Sequence, residues 1–305
     1  MTLHTRMITA TELRLIEKDV PVQLWNSGLA AALYGNVVIL ACTESSGALA
    51  GLWVCPVDGV GAARRAFRLL PYASPWIDRK LHPAVRHCVA WALLSALRSE
   101  VSLVDLPMSP EFRETAGFLA AGASAAFRHT RALDIASPRA WREGYLPATR
   151  NHVRAARGAV TVARTSEGEF DFRQAIKGQD ATAVQARQAA GLSLGASDWP
   201  TFCLSAIDGN GTCRGQVLAV RSLDAAILLH SWFDRDGPRG VPSLLADEAI
   251  SLARTEWAAS VFDFEGSVIA SIDQFMAGFG AEAIGYAQVR AGAVRDAGTA
   301  GAAFR

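Results

Sequence analysis

Short apolar runs alternate with polar turns through both halves of the chain, and a few stretches between them keep helical spacing. Val37-Val38-Ile39-Leu40-Ala41-Cys42 and Leu49-Ala50-Gly51-Leu52-Trp53-Val54-Cys55 flank the polar Glu44-Ser45-Ser46-Gly47. This pattern predicts a β-hairpin with a Ser/Gly turn. After the loop Pro71-Tyr72-Ala73-Ser74-Pro75-Trp76, the positions Val85, Val89, Leu93 and Leu97 predict a helix, and Val101-Ser102-Leu103-Val104 a strand. Ala126 to Leu133 alternates like a half-exposed strand, and Ser137-Pro138 then predicts a helix cap with proline in the first turn.

The same order returns in the second half. Phe202 to Ile207, the turn Asp208-Gly209-Asn210-Gly211, Gly215 to Val220 and Ala226 to Phe233 predict antiparallel strands. A helix from about Pro242 to Trp257, the strand Val261-Phe262-Asp263-Phe264 and a helix near Ile272 to Ala277 follow. No residue-level repeat links the halves, so the duplication rests on element order alone.

At 305 residues, half of them hydrophobic, the chain has material for two cores. The expected division is a first domain over 1–137, a basic linking helix over 138–160 and a second domain over 161–305. No apolar run reaches the roughly 18 residues that span a bilayer, and the N-terminus lacks a signal-peptide pattern, which predicts a cytoplasmic protein away from membranes. The five cysteines are scattered and never spaced as C-x-x-C, so they are expected to be reduced core thiols rather than disulfides or zinc ligands. The formal net charge of +1 conceals a local excess: residues 128–164 carry eight arginines and two histidines against Asp134 and Glu143. Such a patch suits phosphate or carboxylate contact, and equally a solvated surface.

Phe262-Asp263-Phe264-Glu265-Gly266-Ser267, with Ile272-Asp273-Gln274-Phe275, Phe279-Gly280-Ala281 and Tyr286 beyond it, resembles the C-terminal signature of Fem-like proteins of the GNAT superfamily. Leu70-Pro71-Tyr72 looks like that family's first-domain substrate loop, Gly117-Phe118 precedes its closing strand, and Thr149 to Arg154 looks like its basic inter-domain helix. The resemblance implies an α/β (α+β) chain of two tandem GNAT-like domains, each a mixed, mostly antiparallel sheet flanked by helices. It also implies amide-bond formation, with an acyl or aminoacyl group moved from an activated carrier to an amine on a small molecule or peptide, as in cell-wall or natural-product assembly.

Acetyl-CoA-dependent members of the wider fold carry a [QR]-x-x-G-x-[GA] loop whose N–H groups hold pyrophosphate at a helix N-terminus. Here the corresponding residues read Arg235-Asp236-Gly237-Pro238-Arg239-Gly240, with proline where the middle glycine belongs and therefore no N–H. The departure favours aminoacyl-tRNA as co-substrate, with no further cofactor, over the alternative donor acyl-CoA; a catalytically inactive binding module is a third reading. Arg150, Arg154 and Arg157 share one helical face and are the candidates for tRNA phosphates.

Asp263 and Glu265 are expected on one strand face, placed to bind an amine or to act as general base. His230 and Trp232 alternate on another strand, where the imidazole could accept the amine's proton. Tyr72, Trp76 and Asp78 in their proline-bounded loop, with Ser267 and Tyr286, are the expected substrate contacts. No metal-binding, Walker-type or dinucleotide motif is present.

Overall fold

The computed structural model describes residues 2–58, 61–64, 70–136, 140–175, 181–265 and 269–292. Two compact units divide the chain: Met1–Arg68 with Tyr72–Arg128 and Tyr286–Arg305, and Leu69–Pro71 with His129–Gly285. The second unit is thus nearly one continuous stretch, whereas the first is assembled from both ends.

The first unit opens with strand β1 (Leu3–Met7) and helices α1 (Ala10–Ile16) and α2 (Gly28–Tyr34). Thr9 forms a capping box with Glu12, and the Ser27 hydroxyl accepts from the Ala30 N–H, so both helices start on satisfied backbone donors. The expected hairpin is β2 (Val37–Glu44) with β3 (Leu49–Pro56), Leu40 facing Trp53. Strands β4 (Ala62–Arg64) and β5 (Trp76–Ile77) follow, and an antiparallel sheet forms in the order β1-β2-β3-β5. Helix α3 (Pro83–Glu100) begins on its proline and buries Val89, Leu93 and Leu97 as the spacing requires.

Strand β6 (Leu103–Pro107) lies parallel to β4 and takes residues 288–292 antiparallel on its other side. Helix α4 (Thr115–Ala120) rests directly on α3, because a Cβ at Gly117 would stand 2.5 Å from the His87 carbonyl oxygen. Trp53 stacks on Phe118 at 5.2 Å within the core under α3.

Strand β7 (Ser124–Asp134) leads from the first unit into the second. The basic stretch expected as one helix is two, α5 (Ala140–Glu143) and α6 (Pro147–Arg157), because Pro147 restarts the helix at its first turn. The cap expected at Ser137-Pro138 lies outside the described residues. Strand β8 (Val160–Thr165), a 3₁₀ turn at Glu167–Glu169, and helices α7 (Phe172–Ala175) and α8 (Ala181–Gly195) come next.

Strands β9 (Thr201–Asp208), β10 (Cys213–Ser222) and β11 (Ala225–Phe233), helix α9 (Val241–Trp257), strand β12 (Val261–Asp263) and helix α10 (Ala270–Ala277) then follow the expected order, and β13 (Glu282–Gly292) returns to the first unit. In the second unit the strand order is β8-β9-β10-β11-β12-β7, antiparallel except for β11 beside β12.

Helix α9 covers one face of this sheet: Leu244, Leu245, Ala249, Ile250 and Ala253 meet Phe202, Leu204, Val217, Ala219, Ala226 and Leu228 in one core. Each fully buried aliphatic or phenyl side chain contributes about 1.5–3 kcal/mol. Among the described residues, no helix is long and apolar enough to cross a membrane, and no group of three or more His, Cys, Asp and Glu side chains is arranged to hold a metal ion. Cys42, Cys55 and Cys203 are buried as expected, but Cys88 on α3 is exposed and Cys213 only half-buried; both are free thiols.

One buried charge ties α5, α6 and α9 together. Asp247, 1% exposed, accepts from Arg142 Nε at 3.0 Å, Arg157 Nη2 at 2.8 Å and Tyr145 Oη at 3.0 Å. Burial and this neighbouring carboxylate hold the Tyr145 phenol far above its usual ionisation range. Asp247→Ala is expected to destabilise the protein by about 2–3 kcal/mol, less than a fully buried pair would lose, because both guanidiniums are half exposed and return to water. The shift in urea midpoint at pH 7 measures it.

Candidate functional site

The second unit's sheet has two different faces, and a single extra residue separates them. Ala219 pairs with Leu228 but Leu218 pairs with His230, which leaves Leu229 as a bulge. Before the bulge, Ala226 and Leu228 point into the α9 core. Beyond it, His230 and Trp232 stand across from Leu218 and Gln216, on the opposite face, while Phe233 packs toward α9. Simple alternation would have put 226, 228, 230 and 232 on one side.

Gln216, 5% exposed, organises that second face. Its Oε1 accepts from Trp232 Nε1 at 2.8 Å and from the Asp171 N–H at 2.9 Å; its Nε2 donates to Ser205 Oγ at 2.9 Å and to the Glu169 carbonyl at 3.3 Å. A buried amide with both ends used fixes the Trp232 indole and holds the 169–171 segment to the sheet. Phe170 and Phe172 follow that tether, and the Phe172 ring meets His230 edge-on at 5.4 Å. His230 and Trp232 thus share a wall with two phenyl rings and a satisfied polar centre.

The edge beside this wall opens early. β12 pairs with β11 only over Ala225–Ile227, so from Leu228 onward β11 has no ladder partner on that side among the described residues. The residues that follow β11 lead into α9. There the chain turns tightly on itself: Asp236 N–H donates to Asp234 Oδ1 at 3.0 Å, Gly237 N–H to the Asp234 carbonyl at 3.3 Å, and Val241 N–H to the Pro238 carbonyl at 3.4 Å. Arg214 Nη1 clamps Asp234 at 2.6 Å. Gly240 caps α9 with φ +92°, and a Cβ there would lie 2.3 Å from the His152 carbonyl oxygen, so α6 sits directly against the helix start. Several donors that would hold a phosphate are therefore already spent inside the loop.

The expectation that Asp263 and Glu265 share a strand face is corrected by the structure. β12 ends at Asp263, and Glu265 adopts φ +59°, in the left-handed region, so the alternation stops. Asp263 Oδ1 accepts from the Thr130 hydroxyl at 2.5 Å and from the Glu265 N–H at 2.8 Å. The buried carboxylate thus shapes the turn that carries Glu265, which is half-buried. Ser267 lies outside the described residues.

Of the three arginines on α6, Arg150 and Arg154 are exposed and donate to the Glu143 carbonyl and to Asn151 Oδ1, each at 3.4 Å. Arg157 instead bridges Asp247 and Glu248. Nearby in sequence, Arg131 grips Asp273 through two hydrogen bonds of 2.8 Å, with His129 Nε2 3.5 Å from the same carboxylate. The Arg131 bonds hold the Asp273 carboxyl below its ordinary range. Burial pushes the Cys203 thiol up to about 11, away from the thiolate a nucleophile needs.

In the first unit, Tyr72 is buried with its ring edge-on to Trp25 at 5.4 Å and to Tyr286 at 5.6 Å. The structure therefore brings Tyr72 and Tyr286 together as a packed aromatic series. Trp76 is half-buried in β5, and Asp78 closes the following turn by accepting from the Lys80 N–H at 2.9 Å. Sequence reasoning passed over Gln216 and Thr130. The available signal was Gln216 itself, the polar residue in the otherwise apolar run Gly215 to Val220.

No protein-family model matches this sequence, and no curated protein does. Solved structures do match. FemX covers 93% of this chain and 96% of its own at 12% identity, with a TM-score of 0.66. A tandem GNAT protein from the clavulanic acid biosynthesis pathway covers 96% and 99% at 13% identity and 0.60. L-PGS from Bacillus licheniformis covers 95% and 94% at 10% identity and 0.55. The chain has the fold of these proteins, a tandem GNAT fold, as the sequence resemblance implied.

Two outcomes test the geometry. Gln216→Leu is expected to cost about 2–3 kcal/mol through the stranded Trp232 and Asp171 donors, and to red-shift the tryptophan emission of the folded protein. For Asp273, whose carboxyl is depressed in the folded state, the stabilisation is present above its ordinary value of 3.8 and is lost as pH falls through the lower folded value. The urea-midpoint gap between wild type and Asp273→Asn should therefore shrink as pH is lowered from 5 toward about 2.

Proposed function

We propose that this chain is a cytoplasmic transferase that forms an amide bond, moving an aminoacyl group from aminoacyl-tRNA to the amine of a small molecule or peptide. The observation that carries the choice of donor is the start of α9. Pro238 has no N–H, the N–H groups of Gly237 and Val241 bond back within the loop, and Gly240 is backed by α6, so the cradle for a CoA pyrophosphate is incomplete. The fold shared with FemX supports transferase chemistry.

An aminoacyl ester is already activated, which reduces the protein's task to alignment, proton removal and support of the oxyanion. The amine nitrogen attacks the ester carbonyl, the tetrahedral adduct collapses, and the ribose oxygen leaves with a proton. Glu265 is the first candidate to take the amine proton, with Asp263 as the positioning residue that accepts from its N–H. His230 is the second candidate, and Trp232, held by Gln216, lines its side of the cleft. Tyr72, Trp76, Asp78, Ser267 and Tyr286 remain proposed substrate contacts, and Arg150 and Arg154 proposed contacts to acceptor-end phosphates, joined by Arg157 where its ion pairs open.

A second reading, an acyl-CoA-dependent N-acyltransferase, draws support from the fold shared with the tandem GNAT protein of the clavulanic acid pathway. Binding of the purified protein to charged tRNA, uncharged tRNA and acetyl-CoA separates the two. The expected result is charged-tRNA binding that weakens at least about tenfold in Arg150→Glu/Arg154→Glu and loses about two units of log–log salt slope. Acetyl-CoA binding without tRNA affinity would overturn the first reading. Arg157 is kept intact because its replacement would also disturb Asp247.

A further inference from the structure

The first unit contains a small, open pocket between the chain around β5 and the segment 109–114. All of its lining belongs to that one unit, and its chemistry is independent of the transferase reading. The pocket's most deeply buried polar groups are Gln23 and Ser109, 7% and 1% exposed. Asn26 Nδ2 donates to Gln23 Oε1 at 3.4 Å, which turns the Gln23 amide so that Nε2 is the end left over. Among the described residues that nitrogen has no acceptor. Asn26 is itself anchored by the Ser74 carbonyl at 2.7 Å and the Val54 N–H at 3.1 Å, so the arrangement is rigid. Ser74 Oγ donates to Ser109 Oγ at 2.9 Å, and the Ser109 proton likewise meets no acceptor among the described residues.

Both groups line the open pocket rather than a sealed interior, so water or an occupant can accept from them. The charges around them indicate what that occupant is. Arg86 and Glu114 pair at 3.1 Å and cancel. Arg79 and Arg113 also line the pocket, both exposed, and neither meets a carboxylate among the described residues. Their forks, with the Gln23 and Ser109 donors, suit a planar oxyanion. Pro75, Ile77 and Phe112 supply apolar wall for a short organic body.

From this juxtaposition we propose that the pocket binds a small organic carboxylate, its oxygens accepting from Gln23 and Ser109 and facing Arg79 and Arg113.

N-acetylglycine, its uncharged amide N-acetylglycinamide, and inorganic phosphate are the probes, titrated into the full chain by calorimetry and by saturation-transfer NMR at low salt. The expected result is saturable binding of N-acetylglycine, weaker by about tenfold or more for N-acetylglycinamide, and reduced by a similar factor in Arg113→Ala, whose exposed side chain leaves the melting temperature unchanged. Gln23→Leu should also lose the carboxylate, and a Gln23→Asn variant should recover part of it. Equal affinity for acid and amide, preference for phosphate, no saturable binding, or binding indifferent to Arg113→Ala would each overturn the proposal.

Discussion

β11 holds one residue more than β10 can match, and much of the second unit depends on where that surplus falls. By absorbing it at Leu229, the strand keeps Ala226 and Leu228 in the core under α9 and still delivers His230 and Trp232 to the other side. The face so created is neither core nor ordinary surface. It has a buried amide at its centre, and an amide survives burial there only because all its valences are used. The bulge decides which side chains arrive, Gln216 decides how they are oriented, and β11 runs on past its short pairing with β12 to carry them.

Electrostatics redraw the picture that the sequence suggested. The arginine-rich stretch becomes, in three dimensions, a set of ion pairs: Arg131 with Asp273, Arg142 and Arg157 with Asp247, Arg164 with Glu256. Carboxylates from α9 and α10, distant in sequence, neutralise charges that composition counts as a patch. Among the described residues, Arg150 and Arg154 are the arginines of α6 that meet no carboxylate, and they lie on the helix whose His152 carbonyl backs Gly240 at the start of α9.

Elements whose apolar period is strong are legible in the residues alone: the β2–β3 hairpin, α3, and the succession β9, β10, β11, α9, β12. Those missed, such as α1, α2 and α8, depend on capping or on cover from other elements rather than on a marked pattern. Within the site, His230 and Trp232 could be placed on a shared face because the spacing of two persists locally, but not on the correct side, since a bulge leaves no mark in the alternation. Asp263 and Glu265 failed as a pair for a related reason. A left-handed residue ended the strand between two positions that sequence alone treats as equivalent. Long-range choices, including Asp247 for Arg157 and Thr130 for Asp263, have no local signature.

The first unit draws on both ends of the chain, and this imposes an order on synthesis. The continuous stretch from His129 to Gly285 can leave the ribosome and close its own core, while β6 still waits for residues 288–292 to pair along its edge. Until then that edge is an unpaired strand beside a formed hairpin and helix, a surface that invites wrong partners. The unit begun first is finished last, so the nascent protein passes through a stage with one completed half and one open half.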